Sequence, residues 1–144
     1  MTNDNHPSLL FQIRIDLSEE TAIEIRNKVD TKFSNNINYI LKKVRAELVC
    51  QYDAFKKFVL ECEKENEVDN ALYKWTKDTI ENKSKKIKYL NSFTVYVEGE
   101  QLYEKKIADF LEYEIKKLND KKIIKINKYN SDPKNNPQPP KKYL

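Results

Sequence analysis

From Phe11 to Leu17 apolar and polar residues alternate without a break. Phe11, Ile13, Ile15 and Leu17 share one side; Gln12, Arg14 and Asp16 share the other. A period of two over seven residues rich in branched side chains predicts a strand. Ser18 then offers a helix N-cap, and Glu19 and Glu20 suit the positive end of the helix dipole. Ala22, Ile25, Val29 and Phe33 continue at helical spacing, which predicts a first helix. Ser34, Asn35 and Asn36 interrupt it and supply a second cap. Ile37, Ile40, Leu41, Val44, Leu48, Tyr52, Phe55, Val59 and Cys62 then recur every three or four positions. This spacing predicts one long second helix to about Lys64, in which a bend could be hidden.

A third helix starts with Val68, Leu72, Trp75 and Ile80 and weakens into the lysine-rich stretch 82–88. Its short connection to the second helix predicts an antiparallel helical hairpin. The stretch 93–98, FTVYVE, alternates again as a strand. Gly99 turns the chain, 101–118 reads as a helix, and 121–129 as a last strand. So short a return from strand through helix to strand implies a parallel unit. The expected class is α+β: strand-helix-helix, then a long helical hairpin, then a strand-helix-strand unit. The expected divisions are a disordered 1–8, an N-terminal segment 9–50, a module 51–129, and a disordered tail 130–144 rich in Pro and Lys.

Composition narrows the chemistry. One glycine in 144 residues leaves no material for a P-loop or a dinucleotide fingerprint. The single histidine, His6, falls in the polar start, so histidine-based acid–base catalysis and a zinc site are not expected. Cys50 and Cys62, twelve positions apart on one helix, would lie roughly 18 Å from each other, too far for a disulfide, and are expected to be small buried hydrophobes. VEGEQLYEKK (97–106) faintly resembles the first acidic motif of the Toprim fold. No second acidic cluster follows it to hold magnesium, so Gly99 is read as a plain turn. No catalytic residue, metal site or cofactor is expected. No apolar run reaches the ~18 residues that a membrane helix needs. The start shows no basic-then-apolar pattern, so neither a secretory signal nor a membrane partner is expected, and a cytoplasmic location is.

The charge is uneven. Residues 1–115 carry 18 basic and 21 acidic side chains, a balance of −3, whereas 116–144 carry nine Lys and two Asp, a balance of +7. Tyr89, Phe93, Tyr96 and Tyr103 lie near the lysine cluster at 83–88, a combination that can stack single-stranded bases or simply fill a core. The tail's PQPPK is a weak match to motifs taken by readers of extended peptides.

The order strand, capped helix, break, second helix over 11–48 resembles the ribbon-helix-helix family of DNA-binding proteins. FQIRIDL stands as the ribbon, SEETAIEIRNKV as the first helix, and FSNNINYILKKV as the cap and start of the second. The resemblance implies a homodimer whose paired ribbons enter the major groove of double-stranded DNA. Gln12, Arg14 and Asp16 would then contact base edges, and the amides of Asn35, Asn36 and Ile37 would hold a phosphate. Residues 1–49 hold seven basic and seven acidic groups, so the missing phosphate contacts would come from Lys83, Lys85, Lys86 and Lys88 and from the basic stretch 116–128, if these lie on the same side. The family's usual glycine between the helices is missing here. The function expected on this basis is a small dimeric DNA-binding regulator, with 51–144 free for an unidentified protein partner. The alternative is a compact α+β protein–protein interaction module, such as an inhibitor, adaptor or assembly subunit. In that case 11–17 is one strand of a single mixed sheet with 93–98 and 123–129, and the first three helices pack on one of its faces.

Overall fold

The computed structural model describes residues 9–144. The expectations for 1–8, including the position of His6, lie outside these residues. Along the chain run β1 (Phe11–Leu17), α1 (Glu19–Arg26), α2 (Lys32–Lys42), β2 (Ala46–Cys50), α3 (Gln51–Lys64), α4 (Ala71–Glu81), α5 (Lys83–Leu90), β3 (Ser92–Val97), α6 (Lys105–Lys117) and β4 (Ile123–Asn130). The class is α+β, in the expected order of strand-helix-helix, helical hairpin and strand-helix-strand.

The strands form one sheet in the order β2-β3-β1-β4, each pair of neighbours antiparallel. Since β1 is antiparallel to both β3 and β4, those two run parallel with β1 between them. The parallel relation expected from the short return is therefore present, but the strands are not adjacent. Without α3–α5 the topology is β-α-β-β-α-β, the split β-α-β arrangement. The three helices are an insertion between the paired strands β2 and β3.

The period-two pattern of β1 sets the layers. Ile13 and Ile15 are fully buried, and Phe11 and Leu17 nearly so. They pack with Phe93, Val95 and Val97 of β3 against Ala22 of α1, Phe33, Ile37 and Leu41 of α2, and Ala108, Leu111 and Ile115 of α6. The boundary expected near residue 50 thus does not separate two cores, because β1 and β3 share one. A smaller cluster of Val59, Cys62 and Tyr73 joins α3 to α4.

The long second helix is corrected to α2, β2 and α3. The turn falls at Arg45, whose φ of 54° is left-handed and ends the helical run. Leu48 therefore belongs to β2, opposite Val95, and Cys50 and Cys62 lie on different elements. After β3, Glu98 and Gly99 both adopt positive φ, and Val97 and Glu100 exchange backbone hydrogen bonds of 2.9 Å. This is a two-residue hairpin turn, for which Gly99 is suited. The tail expected to be disordered carries short 3₁₀ turns at Pro133–Asn135 and Lys141–Tyr143. It is tied by Ser131 to Leu10 and by the Tyr143 hydroxyl to Asp78.

Tyr103 closes the start of β1. Its backbone exchanges hydrogen bonds with Phe11 at 2.7 and 2.9 Å. Its hydroxyl accepts from Ile13 N–H and donates to Val95 C=O, both at 2.8 Å. Burial pushes the phenol up to about 12 from its ordinary 10. Tyr103→Phe would leave both buried backbone groups without a partner and should cost about 2–4 kcal/mol in urea unfolding. The pH dependence follows from the raised value. The unfolded chain gives up this proton near pH 10 while the folded chain keeps it, so the stabilisation is complete below pH 10 and is lost as pH rises toward about 12. The drop in wild-type stability across that window should therefore be steeper than that of Tyr103→Phe.

Candidate nucleic-acid interface

The alternation that buries one side of β1 turns the other side of the sheet into a polar face. Ladder register places Arg14 between Thr94 and Asn127, and Asp16 between Ser92 and Lys125. Tyr129 stands opposite Gln12, Tyr96 opposite Glu47, and Thr94 opposite Val49. The buried apolar side chains of the sheet all belong to the opposite face.

Within this face Gln12 and Arg14 have different roles. Gln12 is buried; its Nε2 donates to the Gln101 carbonyl at 3.0 Å, and its Oε1 accepts from Arg14 Nε. A side chain with both amide ends engaged is not displayed for a base edge, which corrects the expectation for Gln12. Arg14 is half-buried, and its guanidinium lies 4.6 Å from the centre of the Tyr129 ring. Such a cation–π contact is worth about 0.5–1 kcal/mol where solvent reaches it. Among the described residues the guanidinium's Nη nitrogens have no hydrogen-bond partner, so Arg14 remains a usable contact. Asp16 accepts a 2.6 Å hydrogen bond from the Ser92 hydroxyl, which also lies 3.1 Å from the Lys88 carbonyl. Asp16 thus ties β1 to the end of α5 and faces Lys125.

That link brings the basic helix to the sheet. In α5, Lys83, Lys85, Lys86 and Lys88 are all exposed, and among the described residues none forms an ion pair. Lys86 lies over the ring of Tyr52 and Lys88 over that of Tyr89, at 5.3 and 5.2 Å. Other lysines are committed elsewhere. Lys77 is 2.6 Å from Glu63, and Lys128 is 2.7 Å from Asp109. Lys105 and Lys128 together hold the Asp109 carboxyl below its ordinary range.

The expected phosphate site at Asn35, Asn36 and Ile37 is corrected. α2 begins one turn earlier, at Lys32, capped by Thr31. Thr31 and Ser34 exchange side-chain-to-backbone hydrogen bonds of 2.9 and 3.0 Å, and the Asn35 amide already donates to Thr31 at 3.0 Å. These three residues lie inside the helix, where their amides serve its own ladder. Nor has β1 an edge left for an intermolecular ribbon, since β3 and β4 of the same chain occupy both. Of the aromatics considered for stacking, Phe93 and Tyr103 are core residues and Tyr89 packs edge-on against Phe55. Tyr96 is on the polar face. Tyr129 and Asn127 were not singled out from sequence, and Lys125 only as part of the basic stretch 116–128. Among the described residues, no group of three or more His, Cys, Asp or Glu side chains converges to hold a metal.

Compared with known proteins, the chain matches no family model, no curated protein and no solved structure.

Gln12 and Arg14 share one hydrogen bond, and stability tests it. Gln12→Ala and Arg14→Ala should each cost about 1–2 kcal/mol, the first by removing a buried amide from both its partners, the second by freeing Gln12 Oε1 and giving up the cation–π contact. The double variant should lose less than the sum of the two, because their common hydrogen bond is lost once. Urea titrations followed by tryptophan fluorescence would measure all three; additive losses would contradict the assignment.

Proposed function

We propose that the protein binds nucleic acid by occupancy, with no bond chemistry, through α5 and the adjoining polar face of the sheet. The observation that carries this reading is the helix α5. It displays four exposed lysines within one eight-residue helix, none of them in an ion pair among the described residues, whereas Lys43, Lys77, Lys105, Lys116 and Lys128 each stand beside a carboxylate. Affinity for DNA or RNA rests largely on neutralising phosphates and releasing their counterions, and unpaired exposed lysines are the groups that do this at least cost. Asp16 and Ser92 fix the end of α5 against the sheet. A strand held by α5 would therefore meet Arg14, Asn127, Lys125 and Tyr129 next.

Phosphate contacts set position, and side chains on the sheet set preference. Arg14 suits guanine through its paired donors, and tyrosines on a sheet can stack exposed bases. The DNA-binding function drawn from sequence is thereby retained as a proposal, with the contact surface moved from a ribbon to a sheet face and a basic helix. A second copy is not needed to complete β1.

The test is fluorescence anisotropy with a mixed-sequence duplex and with one of its single strands, over a salt series. Wild type should bind with an affinity that falls steeply with salt. Changing Lys83, Lys85, Lys86 and Lys88 to Gln should weaken binding to every sequence and lower the log–log salt slope by roughly 3 to 4. Arg14→Ala should alter preference among sequences while lowering the slope by no more than about 1. If neither probe binds at low ionic strength, the reading fails.

A further inference from the structure

The outer edge of β4 carries a second surface, which shares only Lys125 with the polar face. β4 is the last strand of the sheet, and among the described residues it has one strand neighbour, β1. Its ladder skips a residue. Leu17 pairs with Ile123 and Asp16 with Lys125, so Ile124 is an inserted bulge residue without a partner. Ile124 is 66% exposed, which is high for an isoleucine in a strand. Beside it lies a groove between this edge and the last turn of α6, lined by Ile115, Asn119, Asp120, Ile123, Ile124 and Ile126 together with Lys125 and Lys116, the latter also 3.6 Å from Glu112. A strand edge running beside a helix, with apolar side chains between them, is the arrangement into which extended peptides add as an extra strand.

The charge selects the occupant. Residues 116–125 contain five lysines and one acid, Asp120. A second copy would set β4 against β4 and bring these lysines together, which is unfavourable. The chain's own tail is basic, and its hydrogen bonds fall on Leu10, on Asp78 and on Asn130 at the far end of β4 rather than on 123–126. Lysines on an edge strand also discourage indiscriminate pairing, but they do so least against an acidic strand. We propose that the β4 edge and the α6 groove bind an extended acidic segment of another protein. Its backbone pairs with β4, its apolar side chains enter over Ile115 and Ile126, and its carboxylates meet Lys116 and Lys125. This surface does not depend on the nucleic-acid reading.

The experiment titrates the ¹⁵N-labelled full chain with a capped hexapeptide of alternating glutamate and valine, and with its lysine–valine counterpart. The glutamate peptide should shift the amides of Ile123, Ile124, Lys125 and Ile126. The double variant Lys116→Glu/Lys125→Glu changes two exposed side chains, and it should weaken this peptide by about tenfold while favouring the lysine peptide, two exposed ion pairs being turned into repulsions. A dispersed spectrum shows that the variant is folded. Shifts confined to β2, equal affinity for the two peptides, or no shift at millimolar peptide would overturn the proposal. So would a concentration-dependent dimer that protects the β4 amides, since that would make a second copy the occupant.

Discussion

The whole arrangement depends on β1 being paired along both edges. A strand with two neighbours in its own chain has its backbone donors and acceptors satisfied, so its side chains alone decide what each face does. Four apolar side chains on one face draw α1, α2 and α6 against them. The other face is left polar, and Gln12, Arg14 and Asp16 must find partners along it. Each does: a loop carbonyl, a tyrosine ring, and a serine at the start of β3. The same pairing that removes an edge for a second chain thus creates the surface on which Arg14 and Tyr129 meet.

Where β1 would part from β3, the chain uses a side chain in place of a strand. The Tyr103 hydroxyl stands between Ile13 and Val95 and carries the ladder across the gap. It serves as acceptor to one strand and donor to the other, which a phenol can do and an apolar ring cannot. The segment leading to Tyr103 also presents the Gln101 carbonyl that holds Gln12. Core and polar face are therefore closed by one stretch of loop.

The strands with clean alternation were legible. FQIRIDL and FTVYVE keep a period of two, the β4 run keeps it only after the bulge at Ile124, and each is a strand in the sheet. β2 was not. In AELVC, Leu48 falls four residues after Val44 and four before Tyr52, so a short strand between two helices copied the spacing of one long helix. Punctuation was scarce as well. With one glycine in the chain, left-handed turn positions fall to Lys28, Arg45, Asn66, Glu98 and Asn119. Such positions cost a non-glycine residue roughly 1 kcal/mol, and they leave no glycine to mark the break. The cap at Thr31 was misplaced for a related reason. Ser34 looked like the cap, yet it is the reciprocal partner of Thr31 in a capping box, three residues further in. Shifting a helix start by one turn converts free amides into ladder amides, and with that the expected phosphate site disappears.

β4 shows why composition alone could not place the lysines. Residues 116–128 looked like one basic block, but a strand distributes its side chains by alternation. Lys128 stands beside Ile13 on the helix side and is consumed by Asp109 and Glu112. Lys125, three residues earlier, stands beside Asp16 on the polar face. The bulge at Ile124 makes both positions possible, because it shifts the register between Ile123, which packs against the core beside Leu17, and everything after it. Without the extra residue Lys125 would be carried toward the core side, where a charge without a partner is costly. A single inserted residue thus keeps β4 joined to the core, keeps a lysine on the polar face, and leaves an isoleucine standing free at the sheet's edge.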